Sequence, residues 1–432
     1  MTLLFRRTAE LRLLAWAAAI AVTGSLAVAA AQANAFDRRQ LFIPMAFVVL
    51  AVALHAFLVA RGVRGDQILL PLASALTGIG LVLVQRLQPE GQPLLFQQLT
   101  WMIIAAGAFA ATILIPRDLT ALARYKWTWA IVGVALLVSP LLPLVGREIN
   151  GARIWVGIGR FNFEPWEAVK LLLVVFFAAY LEEFREVIAR PRRFGPIRVP
   201  PLPYLLPIVA MWGIAMLVVI LEKDIGASVL FLGIFLAMLY MATGEGFYTL
   251  IGLLLLAVGG YVLYHAFGHV HVRVDTWLRP FSDDLRFSAG YQIVQGLFAL
   301  ANGGLFGAGL ANGMPERIPV VWSDFVFDAF AEEAGFVGAM ALLAAYLLLF
   351  YRGMLIAIRA PTPFLQLLAG GLSFIVAFQT IVIVAGNMRL IPLTGVTLPF
   401  VAYGGSSLVT NWMLIALLIR VSDVTARVRG SP

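Results

Sequence analysis

Apolar runs about as long as a bilayer is thick recur along nearly the whole chain, and no other feature restricts its possible folds more. A helix needs roughly 20 apolar residues to cross the hydrocarbon layer. Stretches of that kind lie at 11–32, 41–60, 67–86, 95–115, 127–145, 166–184, 203–221, 225–243, 247–268, 327–351, 363–387 and 397–420. Backbone groups in lipid must find partners inside the protein, so such runs are read as helices. The expected fold is an all-α polytopic membrane protein with about twelve transmembrane helices. Charged residues make up 12% of the 432, where a soluble domain has roughly 25%. Cysteine is absent, which excludes disulfides, thiolate metal sites and cysteine nucleophiles.

Orientation follows from Lys and Arg in the loops. With the N-terminus inside, the inner segments hold 18 and the outer ones 12, so both termini are expected to be cytoplasmic. The bias is small because outer loops 146–165 and 269–323 carry seven arginines between them. The net charge of +8 suits anionic lipid at the inner face, and no basic stretch interleaved with aromatics points to nucleic acid. The first span has a rival reading. Its basic start, apolar run and A-N-A end at Ala33–Ala35 resemble a secretory signal, but the run exceeds the usual 7–15 residues of a signal core, so an uncleaved span is expected.

The loop 269–323 is the one sizeable extramembrane segment and is too short for a separate soluble catalytic domain. "AGYQIVQGLFALANGG" within it has helix-like spacing and suits an interfacial or re-entrant helix. The glycines that follow (Gly303, Gly304, Gly307, Gly309, Gly313) imply tight turns.

At the end of that loop, "SDFVFDAFAEEAG" carries Asp324, Asp328, Glu332 and Glu333 into an apolar run. Residues 334–351 can cross the hydrocarbon alone at 1.5 Å per residue. The acids therefore belong at the outer interface or in a water-filled cavity. The spacing 324, 328, 332 puts three of them on one helix face, with Glu333 pointing elsewhere. A solvated helix start explains Asp324 well. It explains Asp328 and Glu332 less well, since intramembrane carboxylates are costly and usually functional.

Three other groups stand out. In "NGARIWVGIGRFNFEPWEAVK", Pro165 suits a first helical turn, and Glu167 and Lys170 share a face. They suit a helix-start ion pair with a snorkelling lysine, a pair inside a polar cavity, or both. Glu222, Lys223 and Asp224 fall in a short turn that reads simply as a polar hairpin tip. Arg389 lies in an outer turn between spans, and Tyr403 to Ser407 interrupt the last span, which points to close packing or a cavity lining. His265, His269 and His271 fit no familiar zinc spacing.

Taken together, these segments resemble the SEDS family (RodA, FtsW and SpoVE). The resemblance rests on "GARIWVGIGRFNFEPWEAVKL", "EKDIGAS", "GYQIVQGLFALANGGLFGAGL", "SDFVFDAFAEEAGFVG" and "RLIPLTGVTLPFVAYGGSSL", in that order, between about residues 67 and 421. The EKD form and two extra N-terminal spans are similar to the actinobacterial-type RodA branch. Residues 1–66 would then be two additional helices, and 67–432 a ten-helix glycosyltransferase core. The resemblance implies a peptidoglycan glycosyltransferase that polymerises lipid II at the outer face of a bacterial cytoplasmic membrane, alongside a class B penicillin-binding transpeptidase. The family's aspartate maps onto Asp324, as general base or as ligand of a divalent cation such as Mg or Mn. The family's Glu, Lys and hairpin Asp map onto Glu167, Lys170 and Asp224. Arg153, Arg160, Arg273, Arg279 and Arg389 suit phosphates or an anionic peptide stem. Asp328 and Glu332 join the cavity set, although Asp328 stands where the family pattern has alanine. Trp322 and Ser323 also depart from that pattern. Two other readings use the same features: a lipid II flippase without a base, and a scaffold that recruits a transpeptidase.

Overall fold

The computed structural model describes residues 7–32, 41–89, 92–115, 118–143, 145–149, 152–159, 161–189, 192–194, 197–199 and 201–430. The signal-like end Ala33–Ala35 and Arg160 lie outside the described residues. The chain opens with α1 (Thr8–Gln32), α2 (Phe42–Ala60), α3 (Leu69–Leu87) and α4 (Leu94–Leu114). A short α5 (Thr120–Arg124) leads into α6 (Lys126–Val138), which ends in a 3-10 turn. Strands β1 (Gly146–Ile149), β2 (Ala152–Ile158) and β3 (Phe161–Phe163) precede α7 (Pro165–Ile188). The hairpin β4 (Arg192–Phe194) and β5 (Ile197–Val199) leads to α8 (Leu202–Leu221), α9 (Ile225–Thr243) and α10 (Gly246–Ala266). Then come α11 (Gly268–Leu278), α12 (Tyr291–Gly303), α13 (Val326–Arg359), α14 (Pro363–Asn387) and α15 (Gly405–Arg429).

Among the described residues, ten helices are long and apolar enough to cross a membrane. The two other expected spans also form helices: α6 is short, and α7 carries Glu167 and Lys170 at one end and a charged turn at the other. All twelve expected positions are thus helical, and α12 forms where the loop showed helical spacing.

Three features differ from the sequence reading. Strands Gly146–Ile149, Ala152–Ile158 and Phe161–Phe163 form an antiparallel sheet in the order β1-β2-β3. The last helix starts at Gly405, so 397–404 are not helical. An ideal Cβ on Gly405 would fall on the Trp101 indole, which makes this glycine a packing position. Finally, α13 is broken at Gly335, whose φ of 70° and ψ of −176° belong to a region only glycine adopts freely. The backbone groups at the break are paired with the glycine-rich segment of the long loop. Phe336 N–H donates to Gly304 O at 2.9 Å, and Ala308 N–H to Glu332 O at 2.9 Å. Irregular backbone at membrane depth is tolerated where protein supplies its partners in this way.

The chain divides into two compact units. The first takes in 1–111, 262–352 and 379–416. There α1 packs along α3, with Gly24 admitting the Val82 side chain and Gly80 lying against the backbone at Phe400 and Val401. Buried Arg7 donates to Glu10 and to the carbonyls of Val63 and Asp66, and Glu10 in turn meets His55 of α2. Asp66 pairs with Arg352 of α13, so the N-terminal helices are joined to the rest of this unit by charge as well as packing. The second unit takes in 112–261, 353–378 and 417–432. Its centre is α7, whose Phe176 and Phe177 are fully buried, flanked by α6, α8 and α9.

Candidate functional site

In the first unit, Asp324 closes a turn just before α13 starts at Val326. The expected single acidic face over 324, 328 and 332 is therefore corrected, because Asp324 is not on the helix. It is partly buried. Loss of hydration pushes its pKa up, while the Ser323 side chain and the Arg273 guanidinium pull it down, and the net direction is upward. Arg273 comes from α11 and is held by its own bonds, from Nη1 to the carbonyls of Leu393 at 3.1 Å and Thr394 at 3.3 Å. The charge of this anchored guanidinium thus acts on the Asp324 carboxyl, and both residues were singled out from the sequence. The Tyr403 N–H donates to Trp322 O at 2.8 Å, tying the turn before Asp324 to the start of α15.

The other acids of the stretch separate. Glu333 is enclosed: its Oε1 accepts from Arg86 Nε at 2.9 Å and its Oε2 from the Ala311 N–H at 2.9 Å. The glycine-rich segment folds around this carboxylate, which explains its need for turns. Arg86 also donates to Gly313 O and pairs at 3.5 Å with exposed Glu316. Glu332 is buried beside Gly313, with the Asn302 amide 3.5 Å away. Asp328 is buried against Gly296 of α12. Arg86 escaped the sequence reading. Its partner Glu333 lies 247 positions away in the chain, and no local spacing reports that.

Arg389 has a backbone role. Its Nε donates to Trp277 O and its Nη2 to Leu278 O, both at 2.7 Å, and the Trp277 indole N–H returns a bond to Arg389 O. His271 pairs with Asp275 at 2.9 Å and stacks on Tyr264. Among the described residues, no three His, Asp or Glu side chains converge on a metal position.

In the second unit, Glu167 and Lys170 lie in the first turns of α7 and are both fully buried as an ion pair. Lys170 Nζ also lies 5.5 Å from the centre of the Trp166 ring. The pair is thus a desolvated one and not a snorkelling lysine. Asp224 caps α9, its side chain accepting the Ala227 N–H at 2.9 Å. Its neighbour Glu222 corrects the simple hairpin-tip reading. It is 4% exposed, and burial first, then the Asp224 charge, raise its pKa to about 8. Lys223 between them has a φ of 64°. Arg153 on β2 reaches the Leu142 carbonyl at 3.4 Å.

The donor set at Asp324 is one carboxylate with the Ser323 hydroxyl. It is no protein-only metal cage. It does suit an ion of the magnesium type, which is commonly held by one or two carboxylates together with substrate phosphates.

Comparison with known proteins gives a consistent result. The model of the "Cell cycle protein" family of FtsW, RodA and SpoVE matches residues 66–427. Peptidoglycan glycosyltransferase RodA of Mycobacterium tuberculosis is 40% identical over 431 residues, covering 98% of this chain and 92% of that protein. Stage V sporulation protein E of Bacillus subtilis is 33% identical over 306 residues, 68% of this chain and 80% of its own. Among solved structures, a chain from a peptidoglycan synthase complex, studied for its coordination of polymerization and crosslinking, superposes with a TM-score of 0.70 at 26% identity. The match covers 85% of this chain and 99% of that one. The crystal structure of Thermus thermophilus RodA gives a TM-score of 0.57 at 27% identity, with the same coverage.

Proposed function

We infer the reaction from an established premise: the chain belongs to the FtsW/RodA/SpoVE family. It is a peptidoglycan glycosyltransferase, and so an enzyme. We propose further that its substrate is lipid II, a disaccharide-peptide carried on a polyprenyl diphosphate, and that Asp324 is the general base.

The observation that carries this proposal is a partly buried Asp324 in the turn before α13, with the charge of Arg273 acting on its carboxyl. In the proposed step, an acceptor sugar hydroxyl attacks the donor's anomeric carbon. Its oxygen forms the new glycosidic bond, its proton passes to the Asp324 carboxylate, and the bond from the anomeric carbon to the diphosphate oxygen breaks with inversion. A base works best when its pKa approaches the working pH, and burial moves Asp324 in that direction. Arg273 keeps the carboxylate ionised often enough to accept a proton, and its guanidinium suits the charge that develops on a leaving diphosphate. A divalent cation held by Asp324 and the phosphates would supply further neutralisation of that charge.

We also propose that the site faces the outer side of the cytoplasmic membrane, with both termini inside, as the Lys and Arg distribution favours. The partner proposed is a class B penicillin-binding transpeptidase, in keeping with the crosslinking complex that contains the similar chain. The test is to place the purified protein, with that partner, in liposomes loaded with fluorescent lipid II. A ladder of glycan products supports the polymerase. Lipid II that crosses the bilayer without polymerising would replace it with the flippase.

A further inference from the structure

Within the first unit, the end of α11 is clasped to the connection between α14 and α15. Arg389 donates from Nε to the Trp277 carbonyl and from Nη2 to the Leu278 carbonyl, both at 2.7 Å. The Trp277 indole N–H returns a bond to the Arg389 carbonyl at 3.1 Å. One turn back on α11, Arg273 donates from Nη1 to the carbonyls of Leu393 at 3.1 Å and Thr394 at 3.3 Å. Arg273 and Trp277 are four residues apart, so both bond from one face of the helix. Five bonds thus cross between two short segments, and the two arginines supply four of them.

The backbone at 389 is an uneasy one for arginine. Its φ of 58° lies in the left-handed region, which glycine enters freely and a residue with a Cβ does not. The Arg389 N–H closes a turn onto Gly386 O at 3.0 Å, and the Leu390 N–H one onto Ala385 O at 2.7 Å. Turns of this kind after a helix ordinarily take glycine. An arginine kept there points to a use for its side chain, and the carbonyls of Trp277 and Leu278 are what that side chain meets. Those carbonyls end α11, where a helix has no donor of its own to offer. Arg389 spends the Nε and Nη2 edge of its guanidinium on them. Arg273 keeps that edge, because both of its bonds leave from Nη1 and its side chain is only half-buried. The Nε and Nη2 edge is the one that takes an anion by two parallel bonds.

We propose that Arg389 is a positioning residue for glycosyl transfer. Its clasp on Trp277 and Leu278 fixes α11 on the connection that follows α14, so that Arg273 is held by Nη1 and presents Nε and Nη2 to the donor's diphosphate. Arg389 itself touches no substrate. The inference rests on the reading of Arg273 as the group that meets the leaving diphosphate.

The test is steady-state polymerisation of lipid II by the full chain with its transpeptidase partner. The variants are Arg389→Gly, Arg389→Asn, Arg273→Gln and the double of Arg389→Gly with Arg273→Gln. Each is checked by thermal unfolding. Glycine and asparagine both accept the left-handed backbone, so both Arg389 variants are expected to stay folded. Their kcat/KM is expected to fall roughly 10- to 100-fold, the scale of a small misplacement of a reacting group, with the loss split between kcat and KM as in Arg273→Gln. The double is expected to be no worse than Arg273→Gln alone, because Arg389 acts only through Arg273. Amide hydrogen exchange is expected to rise across 268–278 and to stay unchanged in α3. Wild-type kinetics in a folded Arg389 variant, losses that multiply in the double, or unchanged exchange in α11 would overturn the clasp. Failure of both Arg389 variants to fold would mark a contact of the fold alone and overturn it too. Wild-type kinetics in Arg273→Gln beside a loss in Arg389→Gly would instead overturn the reading of Arg273 beneath it.

Discussion

Arg86 of α3 donates through Nε to Glu333 of α13 at 2.9 Å, and the same carboxylate accepts the Ala311 N–H of the long loop at 2.9 Å. One acid thereby joins three segments that are far apart in sequence. Both partners are largely buried, at 13% and 2% side-chain exposure. Removing one member of a buried pair leaves an uncompensated charge and costs about 3–5 kcal/mol. Arg86→Ala is therefore expected to lower the thermal unfolding temperature markedly in detergent. Glu316, the exposed second partner of Arg86, should give less than about 1 kcal/mol on replacement by Ala. Equal effects from the two would refute the distinction.

The pH dependence of the reaction has a definite sign. Burial raises the pKa of Asp324 and Arg273 opposes that rise. The rate should fall as pH drops through a midpoint above the ordinary carboxylate range. Arg273→Gln removes the opposing charge, so the midpoint should move to higher pH. A midpoint unmoved by Arg273→Gln would show that the guanidinium does not act on the base.

Stability has a pH dependence of its own, set by a different carboxyl. A carboxyl with a raised folded pKa holds its proton longer folded than unfolded, so its contribution is complete below the unfolded pKa and is lost as pH rises through the folded value. Glu222, raised from 4.5 to about 8, defines that window. Thermal stability should decline across it in the wild type, and Glu222→Gln should flatten the decline. An unchanged slope in the variant would place the pH effect elsewhere.

Gly335 tests the break in α13. A Cβ at this φ of 70° would meet Gly307 N and the Phe306 carbonyl carbon. The conformation alone costs a non-glycine residue about 1–3 kcal/mol, and the clash adds to it. Gly335→Ala should reduce folded yield, whereas Gly107→Ala, where a Cβ meets nothing within 4 Å, should not. Equal yields would mean that the helix can run straight.

The spans were legible in the sequence because lipid demands long apolar runs, and a helix stands within each expected run here, although 397–404 stay outside α15. The break at Gly335 was not, since residues 334–351 read as one continuous apolar stretch and the backbone partners of the break come from 304–309. Likewise, Asp324 and Arg273 each stood out alone, but the placing of Arg273 depends on the carbonyls of Leu393 and Thr394, more than a hundred residues beyond it. The strands at 146–163 were hidden for a different reason. They are three to seven residues long, too short for alternation to declare itself.

The central claim is that Asp324 accepts the proton in glycosyl transfer. It is tested most directly by the initial rate of glycan formation from lipid II by folded Asp324→Asn beside the wild type, each with the transpeptidase partner. Loss of a general base predicts a fall of about 10²- to 10⁴-fold, in a protein at least as stable at neutral pH because a desolvated carboxylate has been removed. An Asp324→Asn rate within a few-fold of the wild type would contradict the account.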